Sequence, residues 1–376
     1  ELRPAHEEEI REQLGSEPGF ISPVGIKDGL GKDVELLVPD RKNHVADDLF
    51  EYYGLKRNFN IEKISGLDVI FLDRYIGAFA FYLQSLFFSI KLLFKKVEKE
   101  SVIYSRDVIP VLIFKLRGFN VVYNVHNWSK KRKWFLRIFL GRNIKIVCNS
   151  EGTKKQITQD GFHNLIAISN GVDTEEFDNL GNKLEIRKNL DLPTDKKIVM
   201  YTGHLYGWKG VSVIIDTADL LRKREDIFFV IIGGDRIEQY KYLKLVRDKD
   251  ISNMLFLEHK PKKEIPRYLT SADILLLPNT NINKESVEYT SPIKMFEYMA
   301  SGVPIIASDL PSLREVLNKD NAVLIEPNNP YILANEIEKL LDNNILGERI
   351  SINARNDVRK YTWDEHVRKL IYFLEI

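Results

Sequence analysis

Short runs of β-branched and aliphatic residues alternate with amphipathic or charged segments along nearly the whole chain, the pattern of parallel βαβ units. In the first half the runs are "DVELLVP", "LDVIFLD", "SVIYSR", "NVVYNVH", "IKIVCNS" and "LIAISNGVD". A second series follows with "KKIVMYTG", "IFFVIIGG", "NMLFLEH", "ADILLLP", "VPIIAS" and "NAVLIEP". Between them, "NGVDTEEFDNLGNKLEIRKNLDLPTDKK" is polar and rich in Asn and Asp, which marks a seam. Two doubly wound α/β domains in tandem are expected, over residues 1–172 and 173–360. A helix over 361–376 follows, with Val367, Leu370, Ile371 and Leu374 on one face.

One stretch departs from plain strand–helix alternation. In "EYTSPIKMFEYMASGVPIIAS", Glu288 to Ser308, Ser291 suits an N-cap and Pro292 the first helical position, whose N–H would be unpaired anyway. The helix then presents Met295, Phe296 and Met299 on a buried face, with Glu297 about half a turn away and able to look back toward the cleft. "GVPIIAS" follows as a buried strand. Such a helix start concentrates partial positive charge and suits a phosphate. A capped helix carrying a solvated glutamate satisfies the same residues.

At 376 residues and 44% hydrophobic composition, the chain can bury two sizeable cores. Lys and Arg, 55 together, balance 54 Asp and Glu, so no overall field for nucleic acid arises and no nucleic-acid partner is expected. The one cysteine, Cys148, lies in an apolar run; this excludes a disulfide framework and suits a core position in a reducing compartment. The opening "ELRPAHEEEIREQLG" is charged and acidic, unlike a secretory leader. The most apolar segment, Ile76 to Phe94, has the length of a membrane span, but Gln84, Ser85, Ser89 and Lys91 interrupt it, and a buried helix is expected. From Lys130 to Lys145, seven basic and no acidic residues are interleaved with Trp134, Phe135, Leu136, Ile138, Phe139 and Leu140. That composition fits a helix resting on anionic lipid, and equally a charged face over a core-facing stripe.

Ligands of open α/β sheets meet residues just past the carboxyl ends of strands. In the first half these are Asp73, Arg106, His126 and Ser150; in the second, Gly203 to Gly210, Gly233 to Asp235 and the stretch around Ser291. "YTGHLYGWKGVSVII" turns through Gly203 and Gly207 into a helix at Lys209-Gly210, where a lysine can meet a phosphate or stay solvated. No Walker A loop and no full dinucleotide fingerprint is present. His126, after an apolar strand, can exchange a hydrogen bond near neutral pH or be satisfied by neighbouring backbone. No H-E-x-x-H, cysteine pair or G-x-S-x-G points to zinc or esterase chemistry.

The ordered set "SNGVDTEEF", "YTGHLYGWKG", "VIIGGD" and "SPIKMFEYMASGVPIIAS" resembles glycosyltransferase family 4, the retaining GT-B glycosyltransferases, from Asp33 to the C-terminus. The resemblance implies two Rossmann-like domains facing a cleft, the first binding acceptor and the second nucleotide-sugar, with the last helix crossing back to the first. It implies a hexosyltransferase acting with retention, without metal or cofactor, in polysaccharide or lipid-linked glycan synthesis. Donor-side positions are then Gly203, His204, Lys209, Gly233, Thr290, Ser291, Pro292, Ile293, Lys294 and Glu297. Glu297 matches the family's ribose-holding glutamate, Thr290 to Lys294 the phosphate loop, and Lys209 the diphosphate-binding lysine. His126 matches the histidine near the reacting sugar; Arg106 and Ser150 accompany it on the acceptor side, and His126 and Lys209 are the catalytic candidates.

Two positions depart from the family: Tyr289 stands where its first glutamate is expected, and His204 where an arginine is frequent. The first 25 or so residues instead resemble the insertion domain of bacterial prolyl-tRNA synthetases. The family's usual products, together with the basic stretch Lys130–Lys145, point to a cytoplasmic protein in peripheral contact with an anionic membrane at the inner face of the plasma membrane. A catalytically silent scaffold that binds nucleotide-sugar, and a sugar-nucleotide epimerase of the same fold, are the competing expectations.

Overall fold

Most of the apolar runs fold as strands of parallel sheets in the structure, a computed structural model that describes residues 35–39, 59–67, 69, 72–77, 79–126, 128 and 130–374. The segment likened to a prolyl-tRNA synthetase insertion lies outside them. So do residues 68, 70 and 71 of "LDVIFLD", and Asp73 at its end already starts a helical turn to Ile76. The chain divides into two units, residues 1–169 with 366–376 and residues 170–365.

In the first unit β1 (Glu35–Pro39) pairs in parallel with β2 (Asn60–Ile64). Strands β3 (Val102–Ser105), β4 (Asn120–Val125), β5 (Lys145–Cys148) and β6 (Leu165–Ala167) form a second parallel sheet in that order. Helices α1 (Phe79–Leu92), α2 (Val108–Leu116), α3 (Lys130–Phe139) and α4 (Glu151–Gln159) alternate with these strands. Leu92, Val111, Phe114, Leu136 and Ile157 from them pack on Tyr123, Val125, Ile146 and Cys148 of one sheet face.

The expectation of a buried helix over Ile76–Phe94 is corrected. Helix α1 is 14 residues long, and it turns Gln84 and Ser89 inward while Phe79, Leu86 and Ile90 face solvent. Its polar residues are used inside: Gln84 Oε1 accepts from Val69 N, and Ser85 Oγ donates to Asp107. No helix among the described residues is long and apolar enough to cross a membrane.

The second unit is built on one six-stranded parallel sheet among the described residues. Its strands are β7 (Lys197–Thr202), β8 (Ile227–Ile232), β9 (Met254–Leu257), β10 (Ile274–Leu277), β11 (Ile305–Ser308) and β12 (Val323–Ile325). They run in the order β12-β11-β10-β7-β8-β9. Alternate residues of β7 feed two cores: Ile198 and Met200 one, Val199 and Tyr201 the other. Helices α5 (Lys183–Asn189), α6 (Val211–Leu220), α7 (Arg236–Asp248), α8 (Ile265–Ser271), α9 (Ile293–Ser301), α10 (Pro330–Asp342) and α11 (Asn344–Asp357) cover the faces. Each fully buried Ile, Phe or Met contributes about 1.5–3 kcal/mol.

The chain order departs from β7 toward β8 and β9, then jumps back across it to β10, β11 and β12. This reversal is the topological switch point at which such sheets bind ligands. The last helix, α12 (Trp363–Leu374), carries Val367 and Leu370 onto Val122, Val147 and Ile168 of the first unit. Lys145 Nζ donates to Leu374 O at 3.2 Å, so the terminal helix returns to the first unit, as the resemblance implies.

Candidate functional site

At the switch point, β7 and β10 end in loops that touch. Thr280 N donates to Trp208 O at 2.8 Å, and Gly210, at φ 80°, comes so close to Pro278 that a Cβ would lie 1.8 Å from its carbonyl oxygen. Only glycine fits that approach. The neighbouring strand ends are pinched likewise: a Cβ on Gly233 would fall 2.3 Å from Gly203 O. The loop from Gly203 to Tyr206 is fastened by Tyr201 Oη, which donates to His204 O at 2.5 Å, and by Tyr242 Oη, which donates to Leu205 O at 2.8 Å. His204 stacks on Tyr206 with ring centroids 5.0 Å apart. Lys209 is buried, its ammonium 3.7 Å from the centre of the Trp208 ring, a cation–π arrangement that holds a desolvated charge.

Helix α9 approaches the same strand end. Its N-cap is Pro292, in extended conformation and with no side-chain cap, so the helix starts at Ile293 and the expected N-cap role of Ser291 is corrected. Ser291 is drawn instead into the preceding loop, where Asn170 Nδ2 donates to its carbonyl at 2.6 Å. Ser291 Oγ is buried and has no hydrogen-bond partner among the described residues, a condition that native structures rarely leave unexplained. Thr290, Ser291 and Pro292 are all buried. One turn on, Lys294 Nζ donates to Thr202 O at 2.9 Å and lies 3.8 Å from the Tyr201 ring centre. Tyr298 Oη, at i+4, accepts from Thr202 N at 2.8 Å. Helix α9 is thereby locked to the end of β7 at two points; the i, i+4 spacing was the only sequence signal for Tyr298.

Met295, Phe296 and Met299 are fully buried, as their spacing predicts, and Glu297 is half-buried. Burial pushes the Glu297 carboxyl up to about 7; Lys262 and Lys294 draw it down and Glu176 pushes it further up. Glu176, in the turn Thr174–Phe177, pairs with Lys262 at 3.4 Å, and burial raises its carboxyl too. This Glu176–Lys262 pair beside Glu297 escaped the sequence reading. Glu176 sits in "SNGVDTEEF", but nothing in the chain order announces Lys262. Just before α9, Glu285–Tyr289 forms a π-turn, a local form frequent at functional sites.

Arg106, His126 and Ser150 belong to the first unit, where they directly follow β3 and β4 and lie two residues past β5. Arg106 and His126 are half-buried. Ser150 caps α4: its Oγ accepts from Thr153 N at 3.1 Å and donates to Thr153 Oγ1 at 2.9 Å. Of the donor-side and acceptor-side positions that the resemblance names, the second unit thus holds Gly203, His204, Lys209, Gly233, Thr290 to Lys294 and Glu297, and the first unit the other three. No group of three or more His, Cys, Asp or Glu able to hold a metal occurs among the described residues.

Residues 182–357 match the family model for glycosyl transferases group 1. The second unit belongs to that family. Among individual relatives of this glycosyltransferase domain, an uncharacterized glycosyltransferase of Methanocaldococcus jannaschii is 28% identical over 218 residues, 56% of this chain and 53% of its own length. The D-inositol 3-phosphate glycosyltransferase of Corynebacterium diphtheriae is 25% identical over 199 residues, 50% of this chain and 44% of that enzyme. The chain thus spans about half the length of these curated relatives. Solved structures share the fold of both units. A glycosyltransferase from Rickettsia africae superposes with a TM-score of 0.71 at 17% identity, over 97% of this chain and 94% of that one. Anabaena HepE in complex with UDP gives 0.72 at 16% identity, over 99% and 97%. The fold is that of the GT-B glycosyltransferases, two Rossmann-like units and a returning terminal helix.

Proposed function

We propose that this protein transfers a sugar from a nucleoside-diphosphate donor to an acceptor hydroxyl with retention of configuration. The observation that carries the reading is the switch point of the second unit, where two buried lysines, Lys209 and Lys294, and the partnerless buried hydroxyl of Ser291 stand beside a helix N-terminus. Fixed N–H groups and ammonium ions in such a place are suited to a diphosphate. The relatives that are glycosyltransferases, and the UDP and UDP-glucose complexes of HepE, support a nucleotide-sugar as the ligand.

In this reading the Thr290–Lys294 backbone and Lys209 hold the diphosphate, and Glu297 accepts hydrogen bonds from the ribose hydroxyls. Gly203 and Gly233 let the backbone come close, and His204 lies alongside. As the bond from the sugar's anomeric carbon to the diphosphate breaks, negative charge develops on the departing oxygen, and preorganised cations and N–H groups aimed there give a large catalytic effect. The acceptor oxygen bonds to the anomeric carbon on the same face, and its proton passes to the leaving phosphate. His126 attends the sugar, with Arg106 on the acceptor side; the cap formed by Ser150 holds α4 in place there. The acceptor is a glycan or lipid-linked glycan, and the reaction is placed in the cytoplasm.

Calorimetric titration with UDP-, GDP- and ADP-sugars, followed by assay of free-sugar release and transfer, tests the proposal. One donor class is expected to bind and to turn over. Absence of binding by every donor overturns the donor-site reading, and binding without turnover overturns the enzymatic one.

A further inference from the structure

Strand β10 leads into a buried amide that has no partner among the described residues. Asn279, the second residue past the strand, is fully buried, and neither its Nδ2 nor its Oδ1 makes a hydrogen bond there. Among the described residues no other side chain has two polar atoms in that condition. An amide carries two donors and two acceptor lone pairs, and leaving them unmet in the interior lowers stability in a way that an apolar side chain of the same shape would not. The loop from β10 to α9 ends near Ser291, whose buried Oγ is likewise unpartnered. Orphaned polar groups thus stand near both ends of that loop, where native structures rarely leave them without a role.

The neighbours of Asn279 place it at the switch point. Thr280 N and Thr280 Oγ1 both donate to Trp208 O, at 2.8 and 3.2 Å, and Gly210 closes on the carbonyl of Pro278. With 280 against 208 and 278 against 210, the two segments run antiparallel, and Asn279 stands level with Lys209. That lysine's ammonium lies over the Trp208 ring. Past Thr280, residues 281–284 are exposed, so the chain beside the amide is bounded by solvent on one side and by the lysine segment on the other.

Hydrogen-bond chemistry selects the ligand group that fits. Phosphate oxygens only accept, so they would serve Nδ2 and confront Oδ1 with like partial charge; a cation would serve Oδ1 alone. Two adjacent hydroxyls both donate and accept, and so match the two ends of an amide. A nucleotide-sugar carries such pairs on its ribose and on its sugar, and the ribose pair belongs to Glu297 in the proposed function. We propose that Asn279 binds adjacent hydroxyls of the donor's sugar, its amide being reached as the Lys209 ammonium leaves the Trp208 ring for the diphosphate. The inference rests on the donor-site reading and extends it from the nucleotide to the sugar. A buried amide kept for this purpose discriminates strongly, because a sugar lacking the hydroxyls leaves it unpaired.

The test is calorimetric titration of the full chain with UDP-glucose and UDP, GDP-mannose and GDP, and ADP-glucose and ADP, in wild type, Asn279→Leu and Asn279→Ala. Leucine copies the shape of the amide without its polar atoms; alanine serves should leucine fail to fold, with circular dichroism and diphosphate binding reporting the fold. For the pair that binds, each variant is expected to lose about tenfold to hundredfold in affinity for the nucleotide-sugar and nothing in affinity for the diphosphate. Without ligand, Asn279→Leu is expected to melt no lower than wild type, since it removes unmet polar atoms. Equal losses for nucleotide-sugar and diphosphate, or no loss for either, overturn the assignment. A leucine variant that melts well below wild type with its nucleotide-sugar affinity intact also overturns it, and gives the amide to a buried water instead. If no diphosphate binds the wild type, the donor-site reading fails and this inference fails with it.

Discussion

Replacing Glu297 by Gln is expected to make the protein more stable at pH 8 and no more stable at pH 4. The carboxyl titrates at about 7 in the fold, against an ordinary value of 4.5, because burial penalises its charged form. A carboxyl raised in this way leaves the fold at full stability below its unfolded value. Stability then falls as pH climbs from about 4.5 to about 7, and it stays lower above that. The full difference is on the order of 3 kcal/mol, and the side chain's partial exposure trims it to about 2 kcal/mol. Glutamine keeps the shape and cannot ionise, so it escapes the loss. Urea unfolding of wild type and variant at pH 4, 6 and 8 reads this directly: a gap near zero at pH 4 that opens to about 2 kcal/mol at pH 8. In the proposed function the same substitution weakens donor binding, since ribose hydroxyls donate best to a carboxylate. Wild-type donor affinity should accordingly rise through pH 7. A variant whose stability difference is the same at all three pH values would refute the reasoning, because it would mean Glu297 is not held neutral by its surroundings.

Lys209→Ala is expected to lower turnover by roughly 10²–10³-fold with a smaller change in donor affinity; wild-type turnover in a donor-hydrolysis assay would remove Lys209 from the site. Gly210→Ala should cost about 3 kcal/mol or more, because it forces a left-handed backbone and drives Pro278 away. The control Gly207→Ala, with nothing within 4 Å of its Cβ, should stay within about 0.5 kcal/mol; equal melting temperatures for the two would contradict the close approach. Arg187 is buried and donates to Ser271 O, Lys196 O and Asp273 Oδ2. Its replacement by Ala should cost about 3 kcal/mol, short of a fully stranded pair because Lys183 and the Ile198 N–H still serve Asp273. Chemical denaturation of that variant checks the value.

The strands that line both cores were legible because a parallel strand buried on both faces reads as an unbroken apolar run. Strand β2 was not: "NIEKI" carries a Glu and a Lys, and two of its five residues are exposed, so no such run exists to find. Helix α1 was misread for a related reason. Its Gln and Ser residues interrupt a membrane span and so point to a buried helix, whereas they are the inward contacts of a helix whose apolar side faces out; periodicity locates a stripe without saying which side meets the protein. At the strand ends, the helix start near Pro292 and the glycine turns were visible from local chemistry. The ties from Lys294 and Tyr298 to Thr202, and the Glu176–Lys262 pair beside Glu297, join residues from separate βα units. No local pattern encodes them.

In the proposed function, those long-range ties let one short helix serve two chemically opposed ends of a ligand. Lys294 and Glu297 are three residues apart on α9, a rise of about 4.5 Å, yet their surroundings differ. Lys294 is held against the end of β7 by a carbonyl and an aromatic face, which keep its position. Glu297 lies toward Glu176 and Lys262, in surroundings that leave its carboxyl balanced near neutrality. An anion entering at the helix N-terminus meets a fixed positive field on the lysine side. On the glutamate side a neutral, hydroxyl-bearing group meets an acceptor that becomes a full carboxylate when that group donates to it. A nucleoside diphosphate has those two halves joined in that sequence, diphosphate then ribose, and free phosphate has only the first. In the proposed function the helix is therefore expected to favour the nucleotide over its inorganic part by geometry, without needing a specific contact to the base.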